Sequence, residues 1–201
     1  MESINDLDIV VVHSYEPFDW VVRCTNMLPE ENVYVVPGKV GRIGESFAYA
    51  FSLSDRKYVS FANPDDLYYN VQAFKVCVHI LNERPECSFA YTREKRAFVS
   101  SGKELHGVIV FRNSLLQKYL HEIVDYEYCY ETKHLLWRML QEGPGIFCPI
   151  VGRVWRDHPN QAHKKCSKGD LSRFNNFQAQ LSLLTRTNII HYGGHTLRRI
   201  K

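Results

Sequence analysis

The chain has 201 residues, of which 45% are hydrophobic and 23% are charged, and its formal net charge is +3. This composition is typical of a globular protein with a buried core and excludes an intrinsically disordered chain. No apolar run approaches the roughly 20 residues that a helix needs to cross a bilayer. The first residues include Glu2, Asp6 and Asp8 and lack the basic and apolar pattern of a signal peptide. We therefore expect one domain over residues 1–201 in the cytoplasm.

Strands and helices alternate in the first third of the chain. Residues 8–13 form a continuous apolar run, which is typical of a strand buried on both faces. Further strands are predicted at 32–36 and 58–62, and apolar spacing of three and four residues predicts helices at 18–28 and 45–53. This β-α-β-α-β order is typical of a parallel sheet flanked by helices.

The remaining two thirds of the chain predict a mixture of both element types. Apolar residues recur at helical intervals over residues 67–82, and a charged turn at 93–95 separates two runs of strand-forming residues. We therefore expect an α/β fold with a mostly parallel central sheet and a small antiparallel portion. The predicted elements are, in order, a helix at 67–82, a hairpin of strands 87–92 and 96–100, a strand at 106–111, helices at 114–121 and 130–142, an extended segment at 146–155 and a helix at 171–185.

The six cysteines are scattered along the chain and include no Cys-x-x-Cys pair. A disulfide framework or a zinc ribbon needs cysteines at characteristic short spacings. We therefore expect no disulfide framework and mostly buried thiols.

Charge is distributed unevenly along the sequence. From residue 151 to 201 there are ten basic residues against two acidic ones, a local balance of +8, so the first 150 residues carry −5. A basic segment beside an acidic loop suits a site for a polyanion, although a solvated basic tail is an equally ordinary interpretation. The ten basic residues are Arg153, Arg156, Lys164, Lys165, Lys168, Arg173, Arg186, Arg198, Arg199 and Lys201.

Two adjacent carboxylates, Asp65 and Asp66, follow the predicted strand 58–62 and the turn-forming pair Asn63-Pro64. In an open α/β sheet, ligands bind beyond the carboxyl ends of the strands. Paired carboxylates at that edge suit a hard divalent cation that bridges to phosphate oxygens. The alternative is a simple helix start, with Asn63 as N-cap and Pro64 at the first helical position.

The order of elements and three short stretches resemble the nucleotide-sugar glycosyltransferases of the GT-A (Rossmann-like) fold, in particular their large inverting family. Residues 8–15 resemble the family's first strand and the polar turn after it, residues 41–50 its glycine- and arginine-bearing loop and helix, and residues 58–67 its strand ending in a D-x-D motif. The resemblance covers residues 8–158. It implies transfer of a sugar from a nucleoside diphosphate donor to a hydroxyl acceptor.

The resemblance also implies roles for individual residues. Glu131, at the start of a predicted helix, resembles the general base of the family. Asp65 and His158 would bind a divalent metal ion, Mn²⁺ or Mg²⁺. The implied donor site comprises Ser14 and Tyr15 at the nucleobase together with Arg42, Asn63, Asp66, Arg153 and Arg156.

One position departs from the family. Asn63 stands where the first acid of D-x-D is expected, and it supplies no charge, so a metal-independent or inactive relative stays an alternative. Three of the site residues also have a purely structural interpretation. Glu131 could be a favourable acid in the first turn of a helix, His158 an exposed loop residue and Tyr15 a buried core residue.

The acceptor is not identified by any motif. The absence of a membrane helix favours a soluble acceptor, and the basic segment at 151–201 permits a nucleic acid, such as a modified base in DNA. Two other classes of protein remain open, a nucleotidyltransferase and a non-catalytic module that binds a nucleotide or a partner.

Overall fold

The computed structural model describes residues 5–14, 16–29, 32–96, 107–156, 158–159 and 161–192. Seven strands in this part of the chain form one sheet, and all neighbours pair in parallel except those of β5, which is antiparallel to β3 and β4. The mostly parallel α/β sheet with a small antiparallel portion is thus confirmed. The strands are β1 (Leu7–His13), β2 (Val33–Pro37), β3 (Tyr58–Ala62), β4 (Phe89–Arg96), β5 (Ile109–Arg112), β6 (Gly145–Trp155) and β7 (Ile189–His191), in the spatial order β2-β1-β3-β5-β4-β6-β7.

Helices cover both faces of the sheet. Alternate residues of β1 enter two separate apolar cores: Val10 and Val12 pack on one face, and Ile9 and Val11 pack on the other. No helix in the described ranges is long and apolar enough to cross a membrane. The helices are α1 (Phe18–Asn26) and α3 (Gln72–Glu83) on one face, α2 (Ile43–Ser52), α5 (Glu131–Glu142) and α6 (Lys168–Thr187) on the other, and the single turn α4 (Asn113–Leu116).

The alternative helix start at Asn63 is wrong. Helix α3 begins only at Gln72, because the backbone of Leu67 pairs with Val154 of β6 through two hydrogen bonds of 3.0 and 2.8 Å. Residues 63–71 therefore form a turn and a loop that the bridge between Leu67 and Val154 holds against the sheet. The expected helix at 67–82 is correspondingly shorter.

The predicted hairpin with a turn at 93–95 is wrong as well. β4 continues through these residues to Arg96, because β6 runs parallel to it and provides partners as far as Trp155. The antiparallel partner of β4 is β5, which lies close to the predicted strand at 106–111. Residues 97–106, which include most of the second predicted hairpin strand, lie outside the described residues. β7 was not predicted, since three residues are too few for a periodic signal.

The cysteines are not all thiols. Cys129 and Cys166 form a disulfide that the sequence did not predict, whereas Cys24, Cys77, Cys87 and Cys148 are the buried thiols expected for most of the cysteines. The two bonded cysteines are 37 residues apart in sequence. They meet because the segment before α6 packs beside the loop that leads into α5. The spacing of the cysteines in the sequence does not predict that contact.

The close approach of α2 to a neighbouring loop predicts that Gly44→Ala destabilises the protein severely. A Cβ at Gly44 would lie 1.7 Å from the carbonyl oxygen of Ile123, so the backbone has to move, and we expect a loss of more than about 3 kcal/mol in the free energy of unfolding. Gly169 provides a matched control, because it is also the second residue of its helix, and a Cβ there would first meet the flexible side chain of Arg173 at 3.2 Å. Gly169→Ala should be neutral or stabilise by up to about 1 kcal/mol in urea unfolding. Equal effects of the two variants would contradict this prediction.

Candidate active site

A cavity of about 400 Å³ lies at the carboxyl ends of β1 and β3. These two strands are parallel neighbours, so the residues that follow them meet at one edge of the sheet. The start of α5 forms the opposite wall of the cavity. Its polar lining includes Ser14, Glu16, Lys39, Asn63, Asp65, Asp66, Glu94, Tyr128, Glu131, Lys133 and Arg153.

Backbone and side-chain hydrogen bonds fix the loop that carries the two aspartates. The backbone N–H of Asn63 donates to the hydroxyl of Tyr68 (2.9 Å), and the amide side chain of Asn63 donates to the carboxylate of Asp66 (3.3 Å). The backbone N–H of Asp66 donates to the carbonyl of Asn63 (3.1 Å). Asn63 therefore orients Asp66 within the loop, a role that an amide fills without bringing a third negative charge to this turn.

Asp66 is a buried partner of Arg153, with only 1% of its side chain exposed. The guanidinium of Arg153 lies 3.1 Å from Asp66 with one nitrogen and bonds the carboxylate of Glu94 with another. Burial raises the pKa of Asp66, whereas the positive charge of Arg153 opposes that shift. The ion pairs of Arg153 join the aspartate loop to β4 and β6. The guanidinium of Arg153 is charged in these pairs, because arginine is protonated throughout the accessible pH range.

Asp65 points to His158, and these are the two residues expected to bind a metal ion. The carboxylate oxygen Oδ2 lies 3.0 Å from Nε2 of the imidazole, and the two side chains are 16% and 15% exposed. The ring of Trp20 packs edge-on against His158 with a centroid distance of 5.1 Å. His158 is therefore not an exposed loop residue, and that alternative is wrong.

Arg156 supports the aspartate loop from behind. Its guanidinium donates to the backbone carbonyls of Asp65 and Pro64 and lies over the ring of Trp20, 4.3 Å from the centroid. It is not among the described residues that line the cavity. Its contact with the diphosphate stays a prediction.

The nucleobase end of the cavity contains only part of the expected set. Ser14 lines the cavity, and its backbone N–H donates to Glu16 (2.8 Å), while Tyr15 lies outside the described residues. Arg42 forms an exposed ion pair with Glu45 at 3.0 Å and does not belong to the described lining. The donor roles of Tyr15 and Arg42 therefore also stay predictions.

Glu131 is the first residue of α5 and is 7% exposed. The hydroxyl of Thr132 donates to its Oε1 at 2.9 Å, whereas Oε2 is buried and accepts no hydrogen bond from any described residue. Burial raises the pKa of Glu131, and hydrogen bonds from the first turn of the helix oppose that shift. One oxygen of this first-turn acid is thus hydrogen-bonded, and the other is buried without a hydrogen-bond donor among the described residues.

Several lining residues have no counterpart in the sequence-based prediction. The sequence predicted a turn at Glu94, although this residue lines the cavity. A sequence feature that could have indicated a special role is that Glu94 is the one acid in the basic run 93–96. Lys39 follows β2 and Tyr128 precedes α5, where no hydrophobic periodicity marks a residue, and Lys133 is a polar residue in the first turn of α5. Only the packing of the loops brings them to the cavity.

Two basic residues of the segment 151–201 are engaged within the fold, whereas Lys164, Lys165, Lys168 and Arg186 are exposed. Arg153 is buried in ion pairs, and Arg156 is bound to backbone carbonyls. Arg198, Arg199 and Lys201 lie outside the described residues. A nucleic-acid acceptor therefore stays a prediction from charge alone.

Structures of S. aureus TarS resemble this fold. TarS 1-349 in complex with UDP-GlcNAc aligns with a TM-score of 0.64 at 13% identity, over 89% of this chain and 57% of that chain. TarS 1-349 in complex with UDP aligns with a TM-score of 0.57 at 14% identity, over 90% of this chain and 61% of that chain. The chain thus spans about three fifths of the length of these structures. No protein-family model and no curated protein matches it.

At this level of identity the likeness concerns the fold. TarS has a GT-A-like glycosyltransferase fold, and this chain shares it, so the fold expected from the sequence resemblance is confirmed. Membership of the large inverting family stays a prediction.

The buried carboxylate of Glu131 predicts that Glu131→Gln stabilises the protein at neutral pH. The pKa of Glu131 is raised above its ordinary value of 4.5, so the native state favours the neutral form, and stability falls as the pH rises through the raised pKa. Glutamine has no charge to desolvate, and we expect a gain of about 1–3 kcal/mol in the free energy of unfolding at about pH 8. The gain should shrink as the pH falls through the raised pKa and should be lost below 4.5, where the carboxyl is protonated in both states, as measured by urea unfolding across the pH range.

Glu142→Gln is the matched control, because it makes the same change at the other end of α5. Hydrogen bonds from Tyr119 and Lys118 lower the pKa of Glu142, so its carboxylate is favoured in the native state. This variant should show no gain in stability at about pH 8. A Glu131→Gln variant that is less stable than the wild type at that pH would contradict the prediction.

Proposed function

We propose that this protein is an enzyme that transfers a sugar from a nucleoside diphosphate sugar to a hydroxyl acceptor. The observation that carries the proposal is the convergence of Asp65, after β3, and Glu131, at the start of α5, on one cavity at the carboxyl edge of the sheet. The GT-A-like fold supports it, since TarS structures of that fold contain UDP and UDP-GlcNAc. We take the donor to be a UDP-sugar on the same ground.

Asp65 and His158 fit a divalent cation. Adjacent ligands about 2.1 Å from an octahedral cation are separated by roughly 3 Å, and the carboxylate oxygen and imidazole nitrogen lie 3.0 Å apart. We propose that these two side chains hold Mn²⁺ or Mg²⁺. When bound, the cation would act as a Lewis acid and neutralise the charge of the leaving diphosphate. The neutral Asn63 would leave the charge of this site to Asp65 and Asp66.

Glu131 is the proposed general base. Its Oε2 faces no donor among the described residues, so it can accept the proton of an acceptor hydroxyl. Burial raises its pKa, which makes the carboxylate a stronger base at neutral pH. A hydroxyl activated in this way attacks the anomeric carbon once, from the face opposite the leaving group, so transfer inverts the configuration at that carbon.

The other candidate residues would bind the donor or hold its site in place. We propose that Ser14 and Tyr15 contact the nucleobase and that Arg42 contacts the base or phosphates at the mouth. Asn63, Asp66 and Arg153 would keep the loop of Asp65 in position. Arg156 would support the same loop through its backbone carbonyls.

Two other functions predict different products. A nucleotidyltransferase would release pyrophosphate from a nucleoside triphosphate, and a non-catalytic module would bind UDP without consuming a UDP-sugar. No contact in the described part of the site favours either over sugar transfer. Both are decided by incubating the protein with UTP and with UDP-sugars and identifying the products.

The proposed metal site predicts that UDP stabilises the protein only when a divalent cation is present. UDP at about a hundred times its dissociation constant should add about 2.7 kcal/mol to the free energy of unfolding. Thermal unfolding with Mn²⁺ should show this shift, and chelator should remove it. Asp65→Ala should abolish the shift, whereas Asp55→Ala, which changes a side chain that is 92% exposed, should keep it. A full shift for Asp65→Ala would exclude Asp65 as a ligand of the required metal.

The proposed base predicts that Glu131→Gln binds the donor and fails to transfer it. Loss of a positioned base lowers the rate by roughly 10²–10⁴-fold, while the contacts to UDP are unchanged. Calorimetry with UDP and Mn²⁺ should give equal affinities for variant and wild type, and release of UDP from UDP-GlcNAc should differ. Glu142→Gln serves as the control and should retain wild-type release. Equal rates for Glu131→Gln and wild type would remove Glu131 from this role.

A further inference from the structure

The loop that leads into Glu131 is held at four consecutive residues, three of them by α6 and one by Cys166 just before it. The buried carboxylate of Asp170 accepts hydrogen bonds from the backbone N–H of Glu127 (2.8 Å, Oδ1) and of Tyr128 (2.9 Å, Oδ2). The next residue, Cys129, forms the disulfide with Cys166, two residues before α6 begins. The ring of Tyr130 stacks on Phe174 of α6, with centroids 4.2 Å apart and an angle of 6° between the planes.

The same loop is also fixed from the side of α2. The carbonyls of Tyr126 and Glu127 accept hydrogen bonds from the backbone N–H of Gly44 (2.9 Å) and Ile43 (3.1 Å). Two backbone N–H groups of this loop are therefore bound to α6 and two of its carbonyls to the start of α2. A loop with its backbone groups satisfied in this way has little freedom to move relative to the sheet.

The backbone of Tyr130 shows that this loop needs support. Its φ is +75°, in the left-handed region that residues with a side chain seldom adopt. Such a conformation persists when the surroundings over-determine it. Here it turns the chain directly into α5, so that Glu131 begins the helix beside the cavity.

The carboxylate of Asp170 does more than cap its own helix. In the capping box of α6 this carboxylate accepts the backbone N–H of Ser167 at 3.5 Å, while the hydroxyl of Ser167 accepts the backbone N–H of Asp170 at 3.0 Å. A capping box needs only one acceptor for the helix, yet this carboxylate is fully buried and uses both oxygens on the loop before Glu131. Asp170 is not among the described residues that line the cavity.

We propose that Asp170 is a positioning residue for sugar transfer, which fixes the backbone of residues 127–130 so that the Oε2 of Glu131 faces the reacting hydroxyl. The inference rests on the proposed function for its catalytic meaning, but the geometry of the loop can be tested without any substrate. Asn is the informative substitution at this position. It has one carbonyl oxygen, so one of the two loop N–H groups would face an N–H₂ group in place of an acceptor.

The pKa of Glu131 depends on how tightly the loop encloses its carboxylate and on the charged and titratable groups around it. Asp170 approaches it from α6 and Tyr126 from the preceding loop, while the hydroxyl of Thr132 bonds its Oε1. Burial dominates the raised pKa, and the charge of Asp170 adds to it. Asp170→Asn removes the repulsion from Asp170 whether or not the loop moves, and if the loop loosens, water also reaches the carboxylate, so both effects lower the pKa of Glu131.

The experiment follows the carboxyl carbon of Glu131 by NMR in protein labelled with ¹³C-glutamate, with Glu131→Gln providing the assignment. Asp170→Asn should lower the pKa of Glu131 and should accelerate amide hydrogen exchange at Glu127 and Tyr128 by at least about tenfold. Asp125→Asn is the matched control, because it removes the same charge at a side chain that is 73% exposed beside the same loop. It should change neither quantity. Unchanged exchange at Glu127 and Tyr128 in Asp170→Asn would overturn the proposal, whatever the pKa of Glu131.

A second variant keeps the test decisive if Asp170→Asn does not fold. Phe174→Leu leaves the buried carboxylate in place and removes the ring beneath Tyr130. It should also lower the pKa of Glu131, because the loop would let in water. A folded Phe174→Leu protein with the wild-type pKa would count against the positioning role of this helix end.

Turnover and binding then separate this proposal from the proposed function. Release of UDP from UDP-GlcNAc by Asp170→Asn should fall by about a hundredfold, with KM for the donor within about twofold of the wild-type value. Failure of the wild type to bind UDP with Mn²⁺ would refute the proposed function while leaving the NMR result on the loop intact. Normal UDP binding by the wild type would support the proposed function. If Asp170→Asn then left the pKa of Glu131 and the amide exchange at Glu127 and Tyr128 unchanged, the positioning role alone would be refuted.

Discussion

The site depends most on the two buried ion pairs that the guanidinium of Arg153 forms. The guanidinium lies between Asp66 and Glu94 and so joins the loop after β3 to β4 and to its own strand, β6. Removing one partner of a buried ion pair leaves an uncompensated charge, which costs about 3–5 kcal/mol. The order of the aspartate loop therefore follows from the pairing of β4 with β6 far along the chain. The backbone bridge between Leu67 and Val154 reinforces the same connection.

The site also contains groups that reduce stability. Glu131 has a buried oxygen without a hydrogen-bond partner among the described residues, and Tyr130 before it adopts a left-handed conformation. Such features persist only where the surrounding structure holds them, and they are common at functional sites. Here the start of α6 supplies that support through Asp170. α6 thus holds the loop before Glu131, which lines the cavity at the carboxyl ends of β1 and β3.

Much of the fold followed from local patterns. The continuous apolar run of β1 predicts a buried strand, and the apolar residues of α1 and α5 recur at the period of a helix. Each pattern therefore predicts one type of element. The predicted hairpin failed because β4 has its partners in β5 and β6, which are distant in sequence. Asn63 and Pro64 looked like a helix start, but the same residues also suit a turn, and the bridge to β6 decided for the turn.

The sequence by itself determined the α/β class, the order of its main elements and the position of the two aspartates beyond a strand, because these depend on neighbours a few residues apart. It also named Asp65, His158 and Glu131 through a family resemblance. Only the tertiary structure decided that His158 turns toward Asp65, that Arg153 is consumed by internal ion pairs and that Cys129 bonds to Cys166. Those contacts join residues 37 to 93 positions apart, and such contacts leave no periodic trace in a single sequence.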